Sequence, residues 1–140
     1  DKTFRLAVKA GHNADSHNHN DTGSFILYRN GLPVFVDVGV ESYTKKTFSN
    51  KRYEIWTMQS AFHNLPTFGE YMQKDGREYC AREVKVLMEE QECSISMELA
   101  GCYPKEASVE SYRRTIRFKK NTEILLTDEF TSLPKEKTDT

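Results

Sequence analysis

The stretch Ser24-Phe25-Ile26-Leu27-Tyr28-Arg29-Asn30-Gly31-Leu32-Pro33-Val34-Phe35-Val36-Asp37-Val38 decides the fold of this 140-residue chain. At its centre, Asn30-Gly31 is a strong hairpin signal, because a type I′ turn needs positive φ at both central residues. The apolar residues on either side predict two antiparallel strands, residues 24–28 and 32–38. The second strand places Val34, Val36 and Val38 on one face and Phe35 and Asp37 on the other.

Alternation of apolar and polar residues recurs on both sides of this hairpin. Before it, residues 3–9 alternate, and after it the same period of two appears within residues 82–99, 112–118 and 124–130. Residues 42–68 have no clean period and predict a long excursion from the sheet, a kind of loop that often carries function. The pattern as a whole predicts an all-β fold, an antiparallel β-sandwich of regularly spaced short strands.

Composition favours one globular domain over residues 1–140. Hydrophobic residues make up 37% and charged residues 29%, and the net charge of −1 gives no case for nucleic acid or an anionic membrane as partner. No apolar run approaches the ~20 residues of a membrane helix. The chain begins with Asp and shows no signal peptide, so we expect a piece of a longer protein and leave its compartment open. Residues 134–140 form a charged tail that we expect to be frayed.

The cysteines Cys80, Cys93 and Cys102 are odd in number and widely spaced. This argues against a disulfide framework and against a thiolate zinc site, and favours buried free thiols.

Three of the four histidines fall within eight residues, and Asp15 and Asp21 flank the closest pair, His17 and His19. Imidazole nitrogens and carboxylate oxygens are zinc ligands. In an extended segment, residues two apart share a face at a Cα separation of ~6.5 Å, so both rings could reach one site. The alternative is a polar, solvated loop without a metal, because such loops are rich in Asn, Asp and Ser.

Asp37 lies in an otherwise apolar strand. A carboxylate buried there needs a partner or a metal, whereas at a frayed strand end it would face water. A regular hairpin pairs Asp37 with Ser24 and puts His17 and His19 on the opposite face. A shared site therefore requires a one-residue bulge, which we expect at Gly23, or an irregular course before Ser24.

The run His17-Asn18-His19-Asn20-Asp21-Thr22-Gly23-Ser24-Phe25 resembles the signature of the heparinase II/III family of polysaccharide lyases. The spacing onward to Val36-Asp37-Val38-Gly39, and then to Arg52-Tyr53-Glu54-Ile55-Trp56-Thr57-Met58-Gln59-Ser60-Ala61-Phe62-His63-Asn64, also resembles it. The match is dense over residues 11–66 and thinner afterwards, in residues 112–116 and 126–128. Three separated motifs in the right order are far more specific than one.

The resemblance implies a β-sheet domain that follows a helical toroid in the same protein. The family cleaves acidic polysaccharides by β-elimination at a uronic acid. By motif match, a metal, zinc or another divalent ion, would be bound by His19, Asp37 and His63, and His17 would face the substrate. The family's acid–base tyrosine, and an Asn or His that assists it, come from the toroid, so this chain would carry half a site.

Two other classes of protein remain open. The spacing from Gly11 to His17 and His19 also opens a cupin-like metal motif, typical of metal-dependent oxygenases and isomerases. That motif requires a glutamate a few residues after the second histidine, and this chain has Gly23 and Ser24 in that region instead. The other class is a non-catalytic carbohydrate-binding module that would use Trp56 and nearby aromatic residues as a stacking platform.

Overall fold

The fold is all-β, as predicted, in a computed structural model that describes residues 3–133. The strands are β1 (Phe4–Val8), β2 (His12–Asn13), β3 (Phe25–Arg29), β4 (Leu32–Phe35), β5 (Gly76–Cys80), β6 (Arg82–Met88), β7 (Glu92–Glu98), β8 (Val109–Lys119) and β9 (Glu123–Ser132). They form three antiparallel sheets with the orders β1-β3-β4, β2-β5 and β6-β7-β8-β9. Within residues 3–133, no helix is long and apolar enough to cross a membrane. The predicted frayed tail lies outside the described residues.

The three-stranded sheet packs against the four-stranded sheet. The rings of Phe4 in β1 and Phe118 in β8 meet edge to face at 6.3 Å, and Leu6, Val8 and Ile116 line one small cavity between the sheets. Period-two alternation in β1 and β8 supplies these apolar faces. The main core cluster has side chains that are at most 5% exposed: Met97, Leu99, Cys102, Tyr103 and Tyr112.

All three cysteines carry free thiols. Cys102 lies in the core cluster, where burial raises the pKa of its thiol to about 12. It is therefore protonated and unreactive at neutral pH. Cys80 and Cys93 are partly buried.

The hairpin forms at Asn30-Gly31, where φ is 52° and 80° at the two residues. The returning strand, however, ends at Phe35 and not at Val38 as predicted. Pairing runs from Arg29–Leu32 to Tyr28–Pro33 and then jumps to Leu27–Phe35, so β4 holds one extra residue.

The bulge therefore lies in β4 and not at Gly23. The alternative, an irregular course before Ser24, is confirmed, because residues 14–24 contain no strand. β4 is an edge strand, and Pro33 has no N–H for a ladder, so the strand tolerates a break in register there. One inserted residue exchanges the two faces of everything that follows it. Asp37 is thereby released from the regular ladder that would have pointed it away from the histidines.

Gly23 has a different role. Its φ is +94°, and a Cβ atom at this position would lie 2.5 Å from Leu99 Cδ1. Its N–H donates to the Lys9 carbonyl at 2.8 Å. Only glycine allows the end of the histidine-rich loop to pack this closely on the core.

The excursion predicted over residues 42–68 is built from short 3-10 turns. They span Lys46–Phe48, Arg52–Glu54, Trp56–Met58 and Ser60–Phe62. These three-residue turns explain the missing period, because each is too short to repeat an apolar face. Thr57, Met58 and Ser60 are nevertheless buried, so this part of the excursion is packed on the fold.

Arg114 in β8 connects the four-stranded sheet to the histidine-rich loop and to the excursion. Its guanidinium is 3% exposed and makes a bidentate ion pair with Asp128 in β9, at 2.8 and 2.7 Å. Its NH1 group donates to the carbonyl oxygens of Gly23 at 2.8 Å and Asn64 at 2.7 Å. One buried cation thus fixes the end of the histidine-rich loop and the end of the excursion.

We predict that Arg114→Ala lowers the free energy of unfolding by about 3–5 kcal/mol, because it leaves Asp128 unpaired and two carbonyls without a donor. Arg114→Lys should recover only part of this loss, since an ammonium cannot reproduce the bidentate fork. Urea denaturation measures both. Arg117→Ala is the control, because that side chain is 55% exposed and its ion pair with Glu92 should contribute less than about 1 kcal/mol. Equal losses in Arg114→Ala and Arg117→Ala would contradict the prediction.

Candidate metal centre

His19, Asp37 and His63 come together although they are far apart in the chain. One nitrogen or oxygen atom from each lies within 4.8 Å of the others. The rings of His19 and His63 are 5.4 Å apart, and His63 Nδ1 is 2.9 Å from Asp37 Oδ2. Two imidazoles and a carboxylate form a donor set suited to zinc, with a fourth position left for another ligand.

The hydrogen bonds of His63 favour a cation at this point. Its Nε2 lies 3.1 Å from the Thr57 carbonyl and its Nδ1 lies 2.9 Å from the Asp37 carboxylate, and both of these oxygens can only accept. A neutral ring carries one N–H, so the other nitrogen presents a lone pair to an acceptor; when Nε2–H donates to Thr57, Nδ1 faces Asp37 in this way. A second proton on the ring or a metal ion between the two atoms removes this repulsion. A backbone carbonyl that accepts from the far nitrogen is the usual support of a metal-binding histidine.

Asp37 is held in place without a strand. Its Oδ1 accepts from the Gly39 N–H at 2.7 Å, which closes a local turn and leaves Oδ2 for His63. The carboxylate therefore has the expected partner, but it is not buried in a strand: Asp37 follows the end of β4 and its side chain is 39% exposed.

His19 lies partly buried beside His63. Burial, and then the neighbouring His63, lower the pKa of its imidazole. The ring is therefore kept neutral, which is the form that can bind a metal. Lys9 donates to the His19 carbonyl at 3.4 Å and forms an ion pair with Asp21, and these contacts fix the backbone of the loop.

His17 lies outside this cluster and is exposed. Its φ of 58° lies in the left-handed region. The His17 ring stacks on Tyr43 at 5.9 Å with an interplanar angle of 13°. His12 is separate from both, because its Nδ1 accepts from the Ala14 N–H at 3.2 Å.

A buried polar network, which the sequence did not reveal, holds the histidine-rich loop. Asn13 donates to Gln73 Oε1 at 2.9 Å and accepts from the Thr22 hydroxyl at 2.7 Å. Gln73 in turn donates to the Thr22 carbonyl at 2.8 Å. Since all three side chains are at most 4% exposed, these bonds form in a low-dielectric interior, where they fix geometry strongly.

The same loop is tied to the excursion. The Arg52 Nε–H donates to the Asn18 carbonyl at 2.9 Å, and Asn18 Nδ2 donates to the Tyr53 hydroxyl at 3.2 Å. The Asn20 N–H donates to the Met58 carbonyl at 3.0 Å. The residues on either side of His19 are thus anchored to the segment that leads to His63.

Asn64 holds the segment that carries His63 against the segment that carries Asp37. Its Nδ2 donates to the Phe25 carbonyl at 2.8 Å and to the Val36 carbonyl at 3.1 Å. Asn64 is the neighbour of His63, and Val36 is the neighbour of Asp37. The amide therefore fixes the two ligand-bearing segments against each other and against the start of β3.

These supporting residues lack a local sequence signal, because their partners lie tens of positions away. A hint exists in the composition: the loop is unusually rich in asparagine, and Asn13, Asn18 and Asn20 all prove to be buried. An asparagine-rich loop is normally read as solvated. Here the amides replace the backbone pairing that the irregular loop lacks.

Comparison with known proteins agrees with this architecture. Among solved structures, a heparinase III with methylated lysines superposes with a TM-score of 0.67 at 22% identity. The alignment covers 92% of this chain and 19% of that one, so this chain spans about a fifth of the length of the structure it matches. A comparison with curated proteins found no match. The model of the family described as heparinase II/III-like, C-terminal, matches residues 1–139, and the chain belongs to that family.

Proposed function

We propose that this chain is the β-sheet part of a polysaccharide lyase that cleaves uronic-acid-containing acidic polysaccharide, a glycosaminoglycan or an alginate-like polymer. The observation that carries the proposal is the exposed His17, two residues from His19 in a candidate metal cluster. A fixed cluster beneath an accessible imidazole is the arrangement that a substrate-facing residue needs. Family membership supports a lyase-related β domain.

The chemistry is a β-elimination. A base removes the proton on the carbon that bears the uronate carboxylate, the glycosidic C–O bond at the next carbon breaks, and a C=C bond forms between the two carbons. The leaving oxygen takes up a proton. The abstracted proton is far too weakly acidic unless the carboxylate charge is neutralised. His17 can meet this need by donating to the carboxylate or by moving the proton.

We assign His19, Asp37 and His63 as the residues that would hold the metal, with zinc as the ion that best suits two imidazoles and a carboxylate. When bound, such an ion supplies a fixed positive charge that orders its ligands. In this chain His19 then anchors the loop that presents His17. Asp37 and His63 connect that loop to the hairpin and to the excursion.

The proposed enzyme needs a second half. We propose that a helical domain of the same protein supplies the tyrosine acid–base and an assisting Asn or His. Acidic oligosaccharide or polysaccharide is the proposed substrate. The cupin-like alternative is not supported. Its motif places a glutamate a few residues after the second histidine, whereas the carboxylate that joins His19 and His63 in the cluster is Asp37.

Our first prediction here concerns the metal. Ala substitution at His19, Asp37 or His63 should each lower zinc affinity, because each removes one of three protein ligands. His12→Ala should leave it unchanged, since this histidine lies outside the cluster. Metal content by mass spectrometry, followed by zinc titration against a competing chelator, measures the effect. Full zinc retention in both His19→Ala and His63→Ala would exclude this site.

A second prediction separates the two neighbouring histidines in the complete enzyme. His17→Ala should keep the fold and the metal and lose activity by ~10²–10⁴-fold, the usual contribution of an acid–base residue. His19→Ala should lose the metal as well as activity. Steady-state kinetics and metal analysis on the same preparations test this assignment. Loss of metal in His17→Ala would reverse it.

A third prediction is that the 140-residue chain alone does not turn over substrate. Elimination leaves an unsaturated uronate that absorbs in the ultraviolet, so an absorbance assay with uronate polymers detects it. Adding the helical domain should restore the absorbance signal. If the chain were a non-catalytic carbohydrate-binding module, no signal would appear. Strong turnover by the chain alone would show that the helical half is dispensable.

A further inference from the structure

We infer that Trp56 and Phe62 form a stacking subsite for a sugar ring of an acidic oligosaccharide, an inference that rests on the proposed function. Trp56 is 45% exposed and Phe62 is 48% exposed. Their rings meet edge to face at 5.1 Å and 81°. Large apolar rings left at the surface of an otherwise packed segment mark a contact surface.

The platform is rigid although it is exposed. Trp56 and Phe62 belong to successive 3-10 turns that also contain buried side chains: Thr57, Met58 and Ser60 are at most 2% exposed. The backbone of this segment is also fixed by the bond from the Asn20 N–H to the Met58 carbonyl. A pre-ordered ring loses little conformational entropy on binding, which favours affinity.

Glu41 completes the platform. The indole N–H of Trp56 donates to the Glu41 carboxylate, which holds the ring by its edge and not by a face. The second carboxylate oxygen remains able to accept from sugar hydroxyl groups. An aromatic face beside a hydrogen-bond acceptor matches a pyranose, which presents C–H groups on its faces and hydroxyls at its rim.

One short segment connects this platform to His17. Glu41 contacts Trp56, and Tyr43, two residues later, stacks on His17. The Cα atoms of Glu41 and Tyr43 can be at most ~7 Å apart. A chain of linked sugars bound at His17 can therefore extend to Trp56, where the platform would hold a neighbouring unit and not the one that reacts.

Charge complementarity selects an acidic occupant. Residues 40–63 carry four cationic side chains and two carboxylates, a local net charge of +2 in a chain whose overall charge is −1. Lys45 and Lys51 are exposed, and Lys46 pairs with Glu54 at 3.0 Å. Exposed lysines on the segment that carries these rings attract a polyanion and orient it.

The chain contains a single tryptophan, so Trp56 emission reports on this position alone. We expect a saturable change in that emission when zinc-loaded chain is titrated with oligosaccharides of alginate, hyaluronan or heparan sulfate, for at least one of these ligands. A neutral oligosaccharide of equal length should bind more weakly. Saturable binding by calorimetry with no change in the emission would overturn the inference.

Calorimetry on variants gives the second readout. Trp56→Ala and Phe62→Ala should each weaken oligosaccharide binding, Trp56→Ala by about tenfold, as for a central aromatic contact. Trp56→Phe keeps a stacking face and should recover most of the affinity. Leu87→Ala, which removes an apolar side chain 50% exposed on β6, is the matched control and should bind normally.

The outcomes separate this inference from the proposed function. Unchanged affinity in Trp56→Ala, with wild-type binding and zinc retained, overturns the subsite and leaves the lyase proposal standing. Failure of the folded wild-type chain to prefer an acidic over a neutral oligosaccharide would count against both. If Trp56→Ala fails to fold by circular dichroism, Phe62→Ala and Trp56→Phe carry the test. Binding equal to wild type in Phe62→Ala then overturns the inference.

Discussion

The guanidinium of Arg114 is the contact on which the candidate site depends. It is buried, paired bidentately with Asp128, and donates to backbone carbonyls on two different loops. A charge in this position is costly to desolvate, and only complete pairing makes it tolerable. Because one planar group satisfies all these acceptors at once, the loops that end at Gly23 and Asn64 cannot move independently of the sheet.

Beyond Arg114, the loops are fixed by hydrogen bonds of amide side chains rather than by strand pairing. Asn64 bonds the backbone next to Asp37, and Asn13 and Gln73 bond each other beneath the histidine-rich loop. Irregular backbone leaves N–H and C=O groups without ladder partners, and buried amides can supply both a donor and an acceptor. These bonds hold the loops in place where strand pairing is absent.

Much of this was accessible from sequence, and the exceptions have physical causes. Alternation identified most of the strands, and Asn30-Gly31 identified the turn, because both signals are local. The short strands β2 (His12–Asn13) and β5 (Gly76–Cys80) were not predicted. The bulge in β4 was misplaced at Gly23, since register is decided by edge position and by the missing N–H of Pro33, not by the glycine next to the loop. The membership of Asp37 and His63 in one cluster followed from the family motifs and not from periodicity. The network around Asn13 and Gln73 was missed, because 60 positions separate the partners.

His17 and His19 are two residues apart but lie in different surroundings. Asn18 separates them, and its anchoring by Arg52 and Tyr53 fixes the backbone at that point. On the N-terminal side of Asn18, His17 is left-handed and exposed, and its ring stacks on Tyr43. On the C-terminal side, the His19 ring lies beside that of His63. A buried asparagine between two histidines therefore allows one side chain to face solvent while its near neighbour packs beside His63 in the candidate cluster.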